Sequence, residues 1–148
     1  MSDIRFPNIF KVASIGGPNG ILHYFEDALE KEFPIRRIFW IHDVPNGGSR
    51  GGHAHIDENQ MLVCLAGKLS IELETLSGEI TNFQLSQADQ VLYVPAQTWC
   101  VVKFQEKGML LGISDREFSE ADYIRDKKDF EKLQRAYRTK HGILTGGG

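Results

Sequence analysis

The sequence is short of cysteine, of net charge and of long apolar runs, and each shortage excludes a class of protein. It has two cysteines among 148 residues, too few for the disulfide framework of a small secreted domain, so we expect two free thiols. Its net charge of −3 argues against a nucleic-acid-binding surface. No apolar stretch approaches the roughly 20 residues that span a bilayer, so we expect no membrane partner.

The start of the chain also lacks a recognisable targeting signal. The first ten residues contain no basic segment followed by a long apolar stretch, which is the pattern of a secretory signal peptide. We therefore expect a cytoplasmic protein. A length of 148 residues with 41% hydrophobic residues suits one globular domain over residues 1–148. The final glycines, residues 146–148, are expected to form a disordered tail.

Short apolar runs, separated by turn-forming residues, fill most of the chain. Clusters of glycine, proline, asparagine and aspartate punctuate the sequence between them. The runs cover residues 35–44, 60–65, 69–75, 81–85, 91–94, 99–104 and 109–114. Many short strands at this spacing predict an all-β sandwich or barrel.

The polarity patterns within these runs predict how each is buried. Residues 68–74 alternate between polar and apolar, which is typical of a strand with one buried face. Residues 61–65 are continuously apolar, as in a strand that is covered on both faces. Near the end of the chain, Phe130, Leu133 and Tyr137 recur at helical spacing, which predicts a short amphipathic helix over residues 126–137.

The most informative segment is residues 50–55, an arginine and two glycines followed by His53, an alanine and His55. Side chains at positions i and i+2 of a strand point to the same face. Both imidazoles would therefore enter one pocket if that face lines a barrel, and we expect a functional site here. Asp57 and Glu58 follow closely and are expected to be turn or rim residues rather than acid catalysts.

The spacing around this segment resembles the cupin motifs. Gly47, the histidine pair, Gln60 and Gly67 follow the first motif, with Gln60 in place of a glutamate, and Cys100 stands where the second motif has a histidine. Metal cupins bind Fe, Mn, Ni or Zn with three histidines and a carboxylate. The two replacements favour a site without metal, although two histidines and a cysteine could still hold zinc or copper. The resemblance implies a cupin double-stranded β-helix, a jelly-roll barrel.

Longer segments resemble a narrower family, the WxcM-like sugar 3,4-ketoisomerases, which are cupins that act on dTDP-4-keto-6-deoxyhexoses without a metal. These segments are residues 37–44, 50–55, 60–67 and 122–126. The resemblance implies an isomerase without a cofactor that converts a 4-keto sugar to its 3-keto isomer through an enediol. It also implies a homodimer that contributes to the synthesis of an amino-deoxysugar for a polysaccharide or a secondary metabolite.

The same resemblance implies roles for individual residues. His53 matches the base, and His55 would orient it or share its proton, since a histidine pKa near 6.5 suits proton transfer at neutral pH. Arg37 and Arg50 match positions that meet the pyrophosphate, which a guanidinium binds well. Further substrate-binding residues are expected to be Gln60, Tyr93, Trp99, Cys100, Asn19, Phe39 and Arg125, with core packing as the alternative for Tyr93 and Trp99.

The chain departs from this family at Phe39, where relatives carry a tyrosine thought to move a proton between O3 and O4. Asn19 and Cys100 stand where relatives use bulkier or basic groups that shape the stereochemistry of the product. The groups that could replace the missing hydroxyl are Tyr24, Tyr93, His42 and an ordered water. Alternatively, the pocket binds a nucleotide sugar with different chemistry or none, or the protein is a metal-dependent cupin enzyme such as a dioxygenase or a sugar-phosphate isomerase.

Overall fold

The computed structural model describes residues 5–26 and 32–143, so the tail expected at residues 146–148 lies outside the described part. The described residues form ten strands and a C-terminal helix, which confirms the predicted all-β class. The strands are β1 (Asn8–Lys11), β2 (Ala13–Gly17), β3 (Gly20–Tyr24), β4 (Arg37–Ile41), β5 (Ser49–His55), β6 (Gln60–Glu74), β7 (Ile80–Leu85), β8 (Gln90–Val94), β9 (Trp99–Ser114) and β10 (Tyr123–Ile124). Helix α1 spans Lys127–His141, and a short 3-10 helix, Glu120–Asp122, precedes β10.

The strands wind into one antiparallel sheet that is consistent with a jelly-roll. Its main path runs β1-β8-β6-β9-β5-β10, with β4 paired to β9 and β7 paired to β6. Strands β2 and β3 form a separate hairpin. The two long central strands pair from Gln60 opposite Ser114 to Glu74 opposite Trp99, and this pairing places β5 and β4 side by side with β9 along one wall.

The two central strands are longer than the sequence pattern predicts. Residues 60–65 and 69–75 were expected as separate strands, but β6 is continuous, and β9 likewise joins residues 99–104 and 109–114. The glycine that signals a turn, Gly67, has φ of 67° and lies where the register between β6 and β9 shifts. A Cβ there would collide with the backbone at Glu106 and Gly108. The predicted break is therefore a bulge, for which glycine supplies the positive φ.

The hydrophobic core covers both faces of β6 over residues 61–64, as the apolar run predicts, but Leu65 at the end of that run is 45% exposed. Leu62 and Cys64 belong to the interior cluster, whereas Met61 and Val63 belong to a second cluster on the opposite face. Further along the strand the predicted alternation is confirmed, because the leucine and isoleucine side chains are buried while Glu72 is exposed. Both cysteines are free thiols, as expected.

Helix α1 covers one end of the sheet. It begins at Asp126, whose carboxylate accepts a hydrogen bond from the Lys128 N–H at 2.8 Å, and it ends at Gly142, with φ of 64°. Phe130 is fully buried, but the prediction is wrong for Leu133, which is 37% exposed.

Gln134 is buried in place of Leu133. Its amide donates hydrogen bonds to Glu74 Oε1 and to the Thr75 carbonyl oxygen, so a polar contact with β6 sets the rotation of the helix. No helix in the described part of the chain is long and apolar enough to cross a membrane.

Candidate active site

A cavity of about 550 Å³ opens between β4, β5, β9 and β10. Its apolar lining includes members of the interior core, Leu62, Phe104 and Leu110 among them, and the rest of the lining carries polar and charged side chains. Of the residues assigned from the sequence, the structure brings six together in its lining: Phe39, Arg50, His53, Gln60, Cys100 and Arg125. A volume of this size is in the usual range for small-molecule sites, roughly 300–1,000 Å³.

The two glycines before the histidines aim His53 into this cavity. Gly51 and Gly52 both have positive φ, 91° and 71°. Between Gly51 and His53 the register with β9 shifts by one residue, so that His53 lies opposite Cys100. A Cβ at Gly51 would lie 2.6 Å from the Cys100 carbonyl oxygen. The glycines therefore permit a bulge, and the bulge determines which side chain reaches the pocket.

His53, His55 and Tyr123 form a cluster of three rings. The ring centroids of the two histidines are 5.1 Å apart, and Tyr123 lies 5.0 Å from His53 and 4.3 Å from His55. Tyr123 pairs with His55 in the β10–β5 ladder and lines the cavity beside His53. The two histidine rings lie close together, as expected, but only His53 lines the cavity, and His55 is buried behind it.

The surroundings of His53 keep its imidazole neutral. Burial, followed by the nearby His55 and Arg125, lowers its pKa to about 4, although a hydrogen bond with the backbone of Gly51 and the charge of Glu120 act in the opposite direction. At neutral pH the ring therefore has a free lone pair. A neutral imidazole at the wall of a cavity is the form that can accept a proton from a substrate.

His55 is held by a buried hydrogen-bond network. Its Nδ1 lies 3.1 Å from Asp122 Oδ2. Because a carboxylate only accepts, Nδ1 carries the hydrogen and Nε2 is the acceptor. Nε2 lies 3.4 Å from the Gln60 amide nitrogen and 3.5 Å from Glu58 Oε2. Asp122 also accepts hydrogen bonds from the backbone N–H groups of Asp57 and Glu58, at 2.9 and 3.2 Å.

Glu58 is a member of this network, so its assignment as a turn or rim residue is wrong. It is 3% exposed, and its carboxylate accepts two hydrogen bonds from Arg37 Nη2, both at 3.0 Å. The Gln60 amide also donates to it. The ion pair with Arg37 explains why Glu58 can be buried, because a buried carboxylate is tolerated only when it is paired and hydrogen-bonded.

Arg37 was expected to meet the pyrophosphate, and the structure directs it elsewhere. Its Nη2 is committed to Glu58, and its guanidinium lies over the rings of Phe39 and Phe118, at 5.6 and 5.8 Å. Its Nη1 is buried and has no hydrogen-bond partner among the described residues. Arg37 does not line the cavity, in contrast to Arg50 and Arg125.

One cluster in the described part of the chain has the composition of a cation site. Ligand atoms of His55, Glu58 and Asp122 all lie within 4.8 Å of one another. These atoms already accept hydrogen bonds from Arg37, from Gln60 and from the backbone, and the Arg37 guanidinium supplies the positive charge. A metal could enter only by displacing these donors, so the cluster fits a hydrogen-bonded network better than a metal centre.

The remaining cavity-lining residues of the prediction shape an apolar wall. The ring of Phe39 lies against Gly112, its partner on β9, and leaves no room for a Cβ there. Cys100 faces His53 across the strand pair. Burial raises the pKa of its thiol to about 12, so the thiol is protonated and unreactive at neutral pH.

Three expected substrate-binding residues lie outside the cavity. Tyr93 is buried beside Phe33 on the opposite face of the sheet, and Trp99 packs on Phe130 at 5.6 Å. Core packing, the alternative to substrate binding for these two residues, is therefore what the structure shows. Asn19 lies at the tip of the β2–β3 hairpin.

Two of the groups considered as replacements for the missing hydroxyl, Tyr24 and His42, are also absent from the lining of the cavity. Tyr24 ends the β2–β3 hairpin, and His42 pairs with the exposed Asp43.

Sequence reasoning missed Asp122 and Tyr123, although both lie in the segment 122–126 that carried part of the family resemblance. Arg125, which was assigned, follows them. Its guanidinium stacks on the Tyr123 ring at 4.1 Å and is held by Glu120. The segment therefore supplies three neighbouring parts of the site. Asp122 accepts a hydrogen bond from His55, Tyr123 contacts both histidine rings, and Arg125 lines the cavity.

Comparisons with known proteins place the chain in a family. A family model described as FdtA: WxcM-like, C-terminal matches residues 5–135. The TDP-4-oxo-6-deoxy-alpha-D-glucose-3,4-oxoisomerase of Aneurinibacillus thermoaerophilus is 30% identical over 114 residues, which cover 76% of this chain and 81% of that protein.

Solved structures of sugar ketoisomerases share the fold. QdtA from Thermoanaerobacterium thermosaccharolyticum, a sugar 3,4-ketoisomerase crystallised with TDP, is 26% identical with a TM-score of 0.82, over 88% of this chain and 96% of that chain. WlaRA from Campylobacter jejuni, a TDP-fucose-3,4-ketoisomerase, is 26% identical with a TM-score of 0.77, over 86% and 95%. The chain therefore belongs to the FdtA family, WxcM-like C-terminal, as the sequence segments had indicated.

Proposed function

We propose that the protein is a sugar-nucleotide 3,4-ketoisomerase that converts a TDP-linked 4-keto-6-deoxyhexose to its 3-keto isomer. The observation that carries the proposal is the neutral His53 imidazole at the wall of a cavity large enough for a sugar. The relatives support the substrate class: a histidine-to-asparagine variant of QdtA was crystallised with TDP-4-keto-6-deoxyglucose, and it is 26% identical to this chain.

The chemistry requires proton transfers only. His53 removes the proton from C3, which is acidic because the C4 carbonyl is adjacent, and an enediol forms. The same proton, or one from solvent, returns at C4 and leaves the carbonyl at C3. No net electrons leave the sugar, so the reaction needs acid–base groups and no redox cofactor.

The cavity mouth supports a role for two arginines in binding the pyrophosphate. Arg50 and Arg125 line the same cavity as His53, and a guanidinium fork matches phosphate oxygens. Arg37 instead holds Glu58, so its proposed role is to support the histidine network. Phe39 and Cys100 contact the sugar through apolar surfaces, and Gln60 contacts it from the edge of the network.

A second function, a nucleotide-sugar-binding protein without catalysis, is favoured by one observation. Phe39 lines the cavity and has no hydroxyl, so a pocket with this wall could bind the ligand without completing the proton transfers. The two functions differ in whether the bound sugar exchanges its C3 proton.

We also propose a homodimer in the cytoplasm. The β2–β3 hairpin exposes Ile15 and Ile21, which are 63% and 68% accessible, and Trp40 on β4 is 65% accessible. Large apolar side chains exposed in this way are available for contact with another chain. Light scattering should give a molar mass of twice the 16.7 kDa of one chain, whereas the monomer mass would contradict the proposal.

The direct test of the function is NMR of TDP-4-keto-6-deoxyglucose with the purified protein in D₂O. A 3-keto product with deuterium at C4 is expected for the isomerase. Calorimetry with TDP, run in parallel, separates the alternatives. Binding of TDP without turnover or deuterium exchange would support the non-catalytic function, and neither binding nor turnover would contradict both.

A further inference from the structure

Within the described residues, the cavity contains one tyrosine, Tyr123, in contact with both histidines. Its position is fixed by the backbone, since β10 pairs Tyr123 with His55 and Ile124 with Ala54. Its ring contacts both histidine rings, at 4.3 and 5.0 Å between centroids, and the Arg125 guanidinium lies over it at 4.1 Å. These contacts restrict the rotamers of Tyr123, so its phenol stays at the cavity beside His53.

The Tyr123 hydroxyl is available to a ligand. It makes no hydrogen bond with any residue in the described ranges 5–26 and 32–143, in contrast to Gln60, which is engaged by Glu58 and His55. Burial raises the pKa of Tyr123 above its ordinary value, so the phenol stays protonated at neutral pH. Next to it, His53 is deprotonated. A protonated acid and a free base on one wall are the pair that acid–base catalysis needs.

Other proton carriers in the cavity are less suited. Phe39 has no exchangeable proton, and the Cys100 thiol has a pKa of about 12 and is a weak hydrogen-bond donor. Ser49 lies four residues along β5 from His53, roughly 13 Å away at about 3.3 Å per residue, so it is remote from the reacting carbons.

The proposed isomerisation needs a second proton path besides the one through His53. When the C3–H bond breaks and the proton moves to His53, negative charge develops on O4. To finish, O4 must gain a proton, the O3 hydroxyl must lose one, and C4 must receive the proton from His53. A group that first donates to O4 and then accepts from O3 returns to its starting state.

We infer that Tyr123 is this group: its hydroxyl protonates O4 of the enediolate and is then reprotonated from O3 as the C3 carbonyl forms. The inference rests on the proposed function. It assigns Tyr123 as a catalytic residue that contacts the sugar. The chain thus carries the hydroxyl on β10, where the family resemblance looked for it on β4.

The test is Tyr123→Phe, which removes only the hydroxyl, with Tyr137→Phe on helix α1 as the matched control. TDP-4-keto-6-deoxyglucose is incubated with each protein in D₂O, and both the product and the recovered substrate are examined by NMR. TDP affinity is measured by calorimetry. We expect Tyr123→Phe to lose at least 100-fold in product formation, the range of general acid–base contributions, with TDP affinity within threefold.

The recovered substrate shows which step is lost. Because His53 is intact, we expect Tyr123→Phe to place deuterium at C3 of the unconverted 4-keto sugar, which a collapsed pocket would not do. Turnover within tenfold of the wild type would overturn the inference, and so would loss of C3 exchange together with turnover. If the wild-type protein itself gives neither product nor exchange, the proposed function fails, and the inference fails with it.

Discussion

His55 Nδ1 lies 3.1 Å from Asp122 Oδ2, although the two residues are 67 positions apart in the sequence. The contact fixes the tautomer of His55, and the hydrogen-bonded Nδ1 turns Nε2 toward Gln60 and Glu58. The ring of His55 in turn lies against the ring of His53. Asp122 therefore positions the base of the site through an intermediate histidine, without contact with the substrate.

Asp122→Asn should separate this positioning role from simple stability. An amide can donate as well as accept, so it no longer selects one tautomer of His55. We expect kcat to fall by about tenfold or more, with TDP affinity within threefold because the cavity mouth is unchanged. Steady-state kinetics and calorimetry check this. Asp129→Asn, the same change at an exposed helix position, should leave both values unchanged.

The low pKa of His53 predicts that kcat/KM falls on acidification only at an unusually low pH. A lowered pKa means that the base stays neutral until the pH falls to about 4, whereas an ordinary histidine would be protonated below about 6.5. The kcat/KM value should therefore stay nearly constant from pH 7 to about 5. Circular dichroism at each pH verifies that the protein is folded. A midpoint near 6.5 in kcat/KM would show that His53 is not the titrating base.

The glycine pair before the histidines allows a matched comparison. Gly51 and Gly52 both have positive φ, so alanine strains the backbone at either position. Only at Gly51 would the new Cβ meet a neighbour, the Cys100 carbonyl oxygen at 2.6 Å. Gly52→Ala should cost about 1 kcal/mol of unfolding free energy, and Gly51→Ala about 2–3 kcal/mol or more. Urea denaturation measures both, and equal losses would argue against the close approach of β5 and β9.

Local sequence patterns predicted the residues that line the cavity better than the buried residues that hold the histidines in place. The two-residue period of a strand is enough to bring the rings of His53 and His55 close together, and continuous apolarity is enough to bury residues 61–64 of β6 on both sides. The turn predicted at Gly67 is wrong because a glycine with positive φ is equally suited to a turn and to a β-bulge. Only the pairing with the partner strand distinguishes the two.

The supports of the site depend on contacts between distant segments. Glu58 looked like a rim residue because nothing nearby in the sequence neutralises it; its partner, Arg37, is 21 positions away. Likewise, Tyr123 reaches the histidines only because β10 pairs with β5. Tyr93 and Trp99 are aromatic residues on strands, as ligand-stacking residues often are. In the structure, however, they pack in two other hydrophobic clusters.

The most direct test of the account is His53→Asn, assayed with TDP-4-keto-6-deoxyglucose in D₂O. Because the imidazole is the proposed acceptor of the C3 proton, the variant should show neither deuterium at C3 of the recovered sugar nor any 3-keto product. Its affinity for TDP should stay within threefold of the wild type. Continued exchange at C3 in this variant would contradict the assignment of His53 as the base and the mechanism built on it.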